Sequence, residues 1–349
     1  METEMFSRWT SEVAPEEWDR FIEANWGTPF QSWAWRSLMA DSGANPEYLV
    51  YRSSGGDILA ACPEFRVRRG RYNQRLMGAP ISGRFAGIGE EPELLSTVLP
   101  IPSLFAEGVD LTQAARALQE YLGRFRLPPM SSMELMTSQR RVLESFGGLG
   151  FKHWMAYSYY VTDLAKTPTK KIWEESFHKH DRQAVKYYDR LETSFHLSSA
   201  DSDFSEFLRL HEQATFRKGY RPIRESFLSL MRKHMGKSLL VALSAQPGQL
   251  IVGQLVILDK AHQTLHMRET GYLRQKNIHS PVVHSWFNVC EWAEKNGFRY
   301  VNFGGARSDE AHRLKRKFDG EITDNHVIVV PNTSKVYSYA RAMRGLLTR

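Results

Sequence analysis

Cysteine is almost absent from this chain, whose 349 residues include only Cys62 and Cys290. Two residues so far apart form neither a disulfide framework nor a metal-spaced cluster, so we interpret both as reduced thiols. Long apolar runs are also lacking, since no segment approaches the ~18 uninterrupted apolar residues of a membrane helix. The acidic N-terminal residues have no apolar stretch of the kind found in a secretory signal. These absences predict a cytoplasmic protein without an integral membrane segment.

Several motifs that identify common enzymes are missing. The chain contains no G-x-S-x-G elbow, no G-x-x-x-x-G-K-[ST] loop and no H-E-x-x-H pair. The glycine-rich run at 146–150 does not lead from a strand into a helix, as a dinucleotide-binding fingerprint must. The 12 histidines lie between residues 153 and 326, and we interpret them as ordinary surface residues. We therefore expect no metal and no cofactor.

Lysine is missing from the first 150 residues, which hold 15 Arg and 19 acidic residues and carry a net charge of −4. Residues 151–349 hold 31 basic and 20 acidic residues, a net charge of +11. Such a basic half is typical of a surface for polyanions or phosphorylated ligands, although plain solubility explains the charge equally well.

Helical and strand patterns are mixed in both halves, which predicts a mixed α/β fold. In the first half, helical patterns at 15–42 precede a hairpin at 48–67 and an amphipathic helix at 111–125. The second half has predicted helices at 172–191, 203–216, 224–234 and 282–295, and strands at 238–244, 250–258, 263–270 and 300–303. A basic helix is predicted at 333–347. The length suggests two domains, at about 150 residues per domain.

Two segments of the second half concentrate positive charge. In the predicted helix 172–191 basic residues recur at spacings of three and four, while apolar residues face inward. The basic positions are Lys179, Arg182, Lys186 and Arg190, and the apolar ones are Ile172, Phe177 and Val185. Farther along, a strand that ends in Gly304-Gly305 allows a ligand to approach the backbone. The run 312–320 after it offers charges for phosphates, although a solvated loop fits this pattern as well.

Several short motifs, taken in order, resemble the Fem-type peptidyltransferases of the acetyltransferase (GNAT) superfamily. They are Phe30-Gln31-Ser32 with Trp35, Arg182 with Lys186 after Trp173, Phe216–Tyr220, and a final run through Trp292, Gly297, Phe303-Gly304-Gly305, Leu314-Lys315, Phe318 and Gly320. The resemblance covers most of the chain. The sequence departs from the family pattern at two places. The family has Ala where this chain has Tyr187, and the family has Tyr-x-Tyr-Gly-Ala where this chain has residues 266–270.

The resemblance implies two tandem GNAT-like domains, with residues 1–156 on the acceptor side and 157–349 on the basic donor side. The C-terminal helix is expected to pack back on the first domain. The resemblance also implies transfer of an aminoacyl group from a charged tRNA to an acceptor amine, on a cell-wall precursor or on a small-molecule or antibiotic intermediate. Because the tRNA ester is already activated, positioning of the amine supplies much of the catalysis.

Three groups of candidate site residues follow from the resemblance and the residue types. Arg268, Glu269 and Tyr272 are expected to be catalytic at the end of a central strand, where alternation lets only one of the first two face the cleft unless a bulge intervenes. Expected substrate-binding residues are Trp33, Trp35, Arg36, Arg217, Tyr220 and Arg307. Expected tRNA or phosphate contacts are Arg182, Lys186, Arg313, Lys315, Lys317 and Phe318.

Within these groups, some roles have alternatives. Glu269 is the candidate to receive a proton or orient the amine, and its alternative is a salt bridge with a neighbouring Arg. Arg36 and Arg217 are candidates to bind an anionic acceptor beside the flat ring of Trp33 or Trp35. For Trp35 alone, a place in the core is the favoured interpretation.

Two other functions remain open. An acyl-CoA-dependent N-acyltransferase on the same fold would hold pyrophosphate with a glycine-rich loop before a helix, whereas residues 272–281 contain no glycine. A non-catalytic nucleic-acid-binding protein would interleave aromatic side chains with basic ones. Tyr187 and Tyr188 suit that role, but they also suit the structural core of a helix.

Overall fold

The structure of the chain is a computed structural model. It describes residues 8–43, 46–69, 72–77, 104–124, 133–217, 222–273, 280–306 and 309–330. The chain divides into two compact units, of which the second is Tyr157–Asp324 and the first contains the described residues on either side of it. The described residues 325–330 group with the first unit, because His326–Val330 pair with Met133–Thr137, whereas the predicted domain boundaries place them in the second domain. The predicted helix at 333–347 lies outside the described residues.

Strands and helices are mixed in the first unit. Its described strands are Arg8–Thr10 (β1), Pro46–Arg52 (β2), Ile58–Arg69 (β3), Tyr72–Met77 (β4), Leu104–Phe105 (β5) and Met133–Thr137 (β6). Its described helices are Pro15–Ala24 (α1), Trp33–Asp41 (α2), Leu111–Arg124 (α3) and Arg140–Gly148 (α4). Strands β1 to β4 pair antiparallel in chain order, and β6 joins β4 in parallel. The predicted hairpin and amphipathic helix of this half are confirmed.

Local sequence signals place the first two helices. Pro15 begins α1, where a proline costs no hydrogen bond, and the helix buries Trp18 and Phe21. The Ser32 hydroxyl accepts a hydrogen bond from the Trp35 backbone nitrogen at 3.2 Å and so caps the start of α2.

The second unit is built on a mixed sheet. Its described strands are Lys152–Asp163 (β7), which enters from the first unit, Ser194–Ser198 (β8), Leu239–Gln246 (β9), Gln249–Asp259 (β10), Thr264–Tyr272 (β11), Tyr300–Ala306 (β12) and Glu321–Val330 (β13), which leads back. Its described helices of eight residues or more are Lys179–Arg190 (α5), Asp201–Arg217 (α6), Glu225–Met235 (α7), Pro281–Lys295 (α8) and Asp309–Arg316 (α9). The strand order is β7-β12-β11-β10-β9-β8, and β11 and β12 run parallel.

Strand β10 lies at the centre of the second unit's core. All its residues except the first are buried, and both α6 and α8 pack against it. A nearly continuous apolar run is typical of a strand covered on both faces. Gln254 is the polar exception within this run, and its contacts shape the candidate site.

The predicted helix 172–191 is wrong in one respect, because the structure breaks it in two. A π-helical turn, Ile172–Ser176, ends at the extended residue Phe177, and α5 begins after His178. The Arg182 guanidinium donates to the Phe177 carbonyl at 2.7 Å, which satisfies an acceptor left free by the break. Asp181 accepts a hydrogen bond from the His178 nitrogen at 3.2 Å at the start of α5. The predicted inward residues Ile172, Phe177 and Val185 are buried.

Candidate active site

The candidate site lies in the second unit, where the parallel strands β11 and β12 stop pairing. Backbone register joins Thr264–His266 to Tyr300–Asn302, and both strands then continue beyond these pairs. The register between β12 and β7 also shifts just after Asn302. Backbone polar groups on the facing edges of β11 and β12 are therefore not used for pairing with each other, and they need other partners.

Lys315 reaches the end of β12 from α9 and is only 6% exposed. Its ammonium donates to the carbonyl oxygens of Phe303, Gly304 at 2.9 Å and Gly305 at 2.8 Å, which we call the Lys315 cage. Burial lowers the pKa of Lys315 to about 7, while the charge of Glu269 raises it in part. Three carbonyl acceptors favour the protonated amine. Lys315 therefore lies buried in the opening between the two strands, and its protonated form, which the three carbonyls hold, places a cation there.

The backbone at Gly304 has a conformation that suits glycine. Its φ of +71° lies in the left-handed region. A Cβ atom there would lie 3.3 Å from the Met267 carbonyl oxygen on β11. The glycine predicted to admit a ligand thus lets β12 turn close to β11 and offer its carbonyl to Lys315.

A β-bulge in β11 removes the need to choose which of Arg268 and Glu269 faces the site. Beyond the pairing of Thr270 with Gln254, β11 has two residues, Arg268 and Glu269, where β10 has one. Strict side-chain alternation is broken at such a bulge. The sequence-based restriction that only one of the two residues faces the opening therefore does not apply.

Gln254 supports the bulge from inside the sheet. Its side-chain oxygen accepts hydrogen bonds from Trp286 Nε1 at 3.1 Å and from the Thr270 hydroxyl, and its nitrogen donates to the Glu269 carbonyl at 3.0 Å. A buried amide with these partners fixes the local backbone. Sequence reasoning missed this residue, although a lone Gln in the apolar strand 250–258 was a usable signal.

Arg268, Glu269 and Lys315 are linked electrostatically. The Nε and Nη1 atoms of Arg268 are buried. Burial lowers the pKa of Arg268 to about 10, and the nearby negative charge of Glu269 raises it in part. The same carboxylate acts on Lys315. Glu269, which is half-buried, thus lies close enough to two cations to interact with both, an arrangement that suits an ion pair and also a carboxylate beside the reacting groups.

Tyr272, at the end of β11, contacts Arg217, the last residue of α6. The Arg217 guanidinium lies over the Tyr272 ring, 5.5 Å from its centroid, and donates to the Tyr272 carbonyl. The structure therefore brings a predicted catalytic residue together with a predicted substrate-binding residue. The neighbouring Phe216 is 65% exposed. The predicted site residues Tyr220 and Arg307 lie outside the described residues.

Helix α9 and the turn after it carry four predicted phosphate contacts, which the structure separates. Arg313 is exposed. Lys317 forms an ion pair with the buried Asp181. Lys315 and Phe318 were expected on a phosphate-binding surface, and that placement is wrong. The Lys315 ammonium is held by its cage, and the Phe318 ring packs in the core 4.8 Å from that of Phe303.

The other predicted phosphate contacts lie on α5. Arg182 is half-buried and caps the preceding turn, as described above. Lys186 is exposed, and its ammonium lies 5.8 Å from the centre of the Trp173 ring. Lys186, Arg190, Gln183 and Asp189 line a shallow hollow of about 530 Å³. The exposed cations of this helix, more than Arg182, are available to a polyanion.

The predicted substrate-binding residues of α2 differ in exposure. Trp35 is fully buried, with its ring 5.0 Å from that of Phe30. The structure therefore assigns Trp35 to packing and corrects its placement as a wall of a binding site. Trp33 is half-buried, and the Arg36 guanidinium lies 4.5 Å from its ring centroid. Trp33 and Arg36 form a stacked pair that suits an anionic group.

Solved structures share this architecture. FemX matches with a TM-score of 0.63 and 11% sequence identity, over 92% of this chain and 96% of FemX. The chain has a Fem-type fold. The C-terminal domain (DUF2156) of a putative lysylphosphatidylglycerol synthetase from Agrobacterium fabrum, with the same fold, matches with a TM-score of 0.57 and 11% identity, over 94% of this chain and 95% of that domain. L-PGS from Bacillus licheniformis matches with a TM-score of 0.56 and 11% identity, over 97% of this chain and 99% of L-PGS.

The predicted fold class, a mixed α/β chain with a Fem-type fold, is thereby confirmed. At these identities the likeness concerns the fold. No protein-family model matches the sequence, and no curated protein sequence matches it. Among the described residues, no helix has the length and apolar character to cross a bilayer. In the same part of the chain, no group of three or more His, Cys, Asp or Glu residues is arranged to hold a metal ion.

Proposed function

We propose that this chain is an acyltransferase that moves an aminoacyl group from a charged tRNA onto an acceptor amine. The supporting observation is the opening between β11 and β12, with the Lys315 cation inside it and Glu269 beside it. In acetyltransferase-like folds, which the chain resembles, this strand end borders the reacting groups. The Fem-type resemblance of the sequence supplies the aminoacyl donor.

The chemistry requires one bond to form and one to break. The amine nitrogen attacks the ester carbonyl carbon, negative charge collects on the carbonyl oxygen, and the ribose oxygen leaves with a proton. A cation fixed near the developing oxyanion stabilises the transition state more than the ground state. We assign this role to Lys315, which acts through its fixed charge because the cage occupies its N–H groups.

Glu269 is the proposed proton carrier. It takes a proton from the attacking nitrogen and returns it to the departing ribose oxygen, so the step needs no further reactant. Its negative charge also balances Arg268 and Lys315. Since an aminoacyl ester is already activated, positioning alone also accounts for transfer. The loss of rate when the Glu269 carboxylate is removed distinguishes proton transfer by Glu269 from catalysis by positioning alone.

The donor assignment rests on charge. Exposed cations such as Lys179, Lys186 and Arg190 lie on α5, in the half of the chain with a net charge of +11. Neutralising phosphates along an RNA strand releases counterions and drives binding. Acyl-CoA is the alternative donor, and it is less favoured because residues 272–281 lack the glycines that usually hold its pyrophosphate.

The acceptor is proposed to be an amine. The name of one structural neighbour, a putative lysylphosphatidylglycerol synthetase, combines a lysyl group with phosphatidylglycerol, and phosphatidylglycerol offers hydroxyl groups. A hydroxyl is therefore the second candidate acceptor. The two differ in product, since an amine gives an amide and a hydroxyl gives an ester.

The experiment that tests this proposal presents both donors to the same protein. Charged bulk tRNA and acetyl-CoA are incubated separately with the protein and a panel of amines, while the loss of aminoacyl ester and of thioester is followed. We expect amine-dependent loss of the aminoacyl ester. Lys315→Met should lower this loss by about 100-fold, whereas Lys237→Met, at an exposed site, should leave it unchanged. Consumption of acetyl-CoA alone would replace tRNA with coenzyme A in the proposal.

A further inference from the structure

A chain of polar groups, in stretches that the structure describes, connects Asp259 to the Lys315 cage. It starts at Asp259, the last residue of β10, and passes through His266 on β11 and Asn302 on β12 to the backbone of Gly304. Asp259 and His266 are buried. None of these three side chains was among the candidate site residues, yet the chain ends on a residue whose carbonyl holds Lys315.

The hydrogen bonds fix the orientation of the Asn302 side chain. The Gly304 nitrogen lies 2.9 Å from Asn302 Oδ1, and a backbone N–H group can only donate, so this atom must be the amide oxygen. The amide nitrogen then faces His266 Nδ1 at 3.3 Å. Since that nitrogen can only donate, Nδ1 must accept, and the intact network contains a neutral His266 with its proton on Nε2.

The other end of the chain is anchored at Asp259. His266 Nε2 lies 3.7 Å from Asp259 Oδ2, and the same oxygen lies 2.9 Å from His262 Nδ1. Burial alone would raise the pKa of Asp259, but the contacts with His266 and His262 outweigh it and lower the pKa. The charged carboxylate therefore favours the Nε2–H form of His266 that the Asn302 contact requires.

We propose that His266 and Asn302 are positioning residues for Lys315 that act through Gly304. Asn302 ties the nitrogen of Gly304, while Lys315 binds the carbonyl oxygen of the same residue. If the tie at the nitrogen is lost, the left-handed Gly304 is free to rotate, and the cage loses a carbonyl. Lys315 then has fewer acceptors, and its neutral form becomes more populated. The consequence for catalysis rests on the proposed function, whereas the consequence for Lys315 itself does not.

The test measures the reactivity of Lys315 directly. Acylation of its amine by a small activated ester at pH 6, where most of the wild-type amine is protonated, is quantified by mass spectrometry in the wild type, Asn302→Ala and Asn288→Ala. Asn288 is a matched control, because its amide nitrogen also contacts a histidine, His284 Nε2 at 3.1 Å, in the same unit. We expect Asn302→Ala to accelerate labelling by at least about fivefold and Asn288→Ala to change it by less than about twofold.

Further variants keep the test decisive if Asn302→Ala does not fold. His266→Phe removes the acceptor for the Asn302 amide and should also accelerate labelling of Lys315. Asn302→Asp keeps the acceptor for the Gly304 nitrogen and adds a negative charge near Lys315, so it should not accelerate labelling. A wild-type labelling rate in both Asn302→Ala and His266→Phe, or an equal acceleration in Asn288→Ala, would overturn the proposal.

Kinetics separate this proposal from the function on which it partly rests. In transfer assays Asn302→Ala should lower kcat by about tenfold and leave the KM of both substrates within about twofold, because it disturbs the charge at the reacting atoms and not the binding surfaces. If the wild type transfers no acyl group, the proposed function fails, while the labelling result still decides whether Asn302 positions Lys315.

Discussion

Trp286 Nε1 donates a hydrogen bond to Gln254 Oε1 across 3.1 Å in the second unit. The contact joins helix α8 to strand β10 at the point where β11 bulges. Gln254 also binds the Glu269 carbonyl at 3.0 Å. The buried Gln254 amide thus connects helix α8, the bulge in β11 and the backbone of Glu269, the proposed proton carrier. Removing this amide therefore tests whether it stabilises the site.

Gln254→Leu should lower the free energy of unfolding by about 3 kcal/mol, because the Trp286 N–H, the Thr270 hydroxyl and the Glu269 carbonyl lose a buried partner. Urea unfolding measures the change. Gln249→Leu is the matched control, since Gln249 is exposed on the same strand, and it should change stability by less than about 0.5 kcal/mol. Similar losses in both variants would mean that the amide network adds little.

Glu269→Gln should lower the pKa of Lys315 from its wild-type value of about 7, because the negative charge of Glu269 raises this pKa in the wild type. The pH dependence of amine labelling at Lys315 reports this shift. If Glu269 carries the proton, kcat for transfer should fall by about 100-fold or more. A loss within about tenfold would assign Glu269 to an ion pair and leave the transferase proposal in place. Glu212→Gln, at an exposed site on α6, is the control for both readouts.

Lys315 should make stability depend on pH in a defined direction. Its pKa is about 7 in the folded chain and 10.5 as the unperturbed value, so between these limits the unfolded chain holds a proton that the folded chain has released. Stability therefore rises with pH across that window and is independent of this group below it. Relative to Lys315→Met, the wild type should gain free energy of unfolding as the pH increases from about 7 to about 10. Parallel pH profiles of the two proteins would contradict the lowered pKa.

The exposed face of α5 should carry the salt dependence of tRNA binding. Lys186→Ala should reduce the slope of log affinity against log salt by about one, because one phosphate contact is lost. Lys317→Ala should instead destabilise the fold, since its partner Asp181 is buried and would lose its counter-charge. Lys237→Ala, at another exposed lysine of the same unit, should leave the slope unchanged. An unchanged slope for Lys186→Ala would exclude this face as the tRNA contact.

The order of elements was predictable because apolar periodicity and turn residues are local signals. The hairpin after Tyr48, the buried strand 250–258 and the helix that begins at Pro281 were all read from such signals, and the structure contains them. The Fem-type motifs, taken in order, were enough to predict the fold class, although each is short.

The geometry of the site was less accessible, because it depends on partners distant in sequence. A basic run predicted a surface, but Lys315 finds three backbone carbonyls and turns inward. The bulge at Arg268 depends on Gln254, which lies 14 residues earlier in the sequence. The carbonyl left free by the break after the π-helical turn accepts a hydrogen bond from Arg182, for which the sequence predicts a phosphate contact. The spacing of charged residues predicts which of them share one face of a helix. Whether a charged side chain is buried depends instead on hydrogen-bond acceptors that the tertiary structure brings to it.

The most direct test of the central claim follows a labelled amino acid from tRNA to its product. Bulk tRNA charged with labelled amino acids is incubated with the protein and an amine, and the product is treated with mild base, which cleaves esters and leaves amides. The account predicts base-stable label that requires the amine and falls by about 100-fold in Lys315→Met. Label that stays on tRNA or appears only as free amino acid, while acetyl-CoA is consumed under the same conditions, would contradict it.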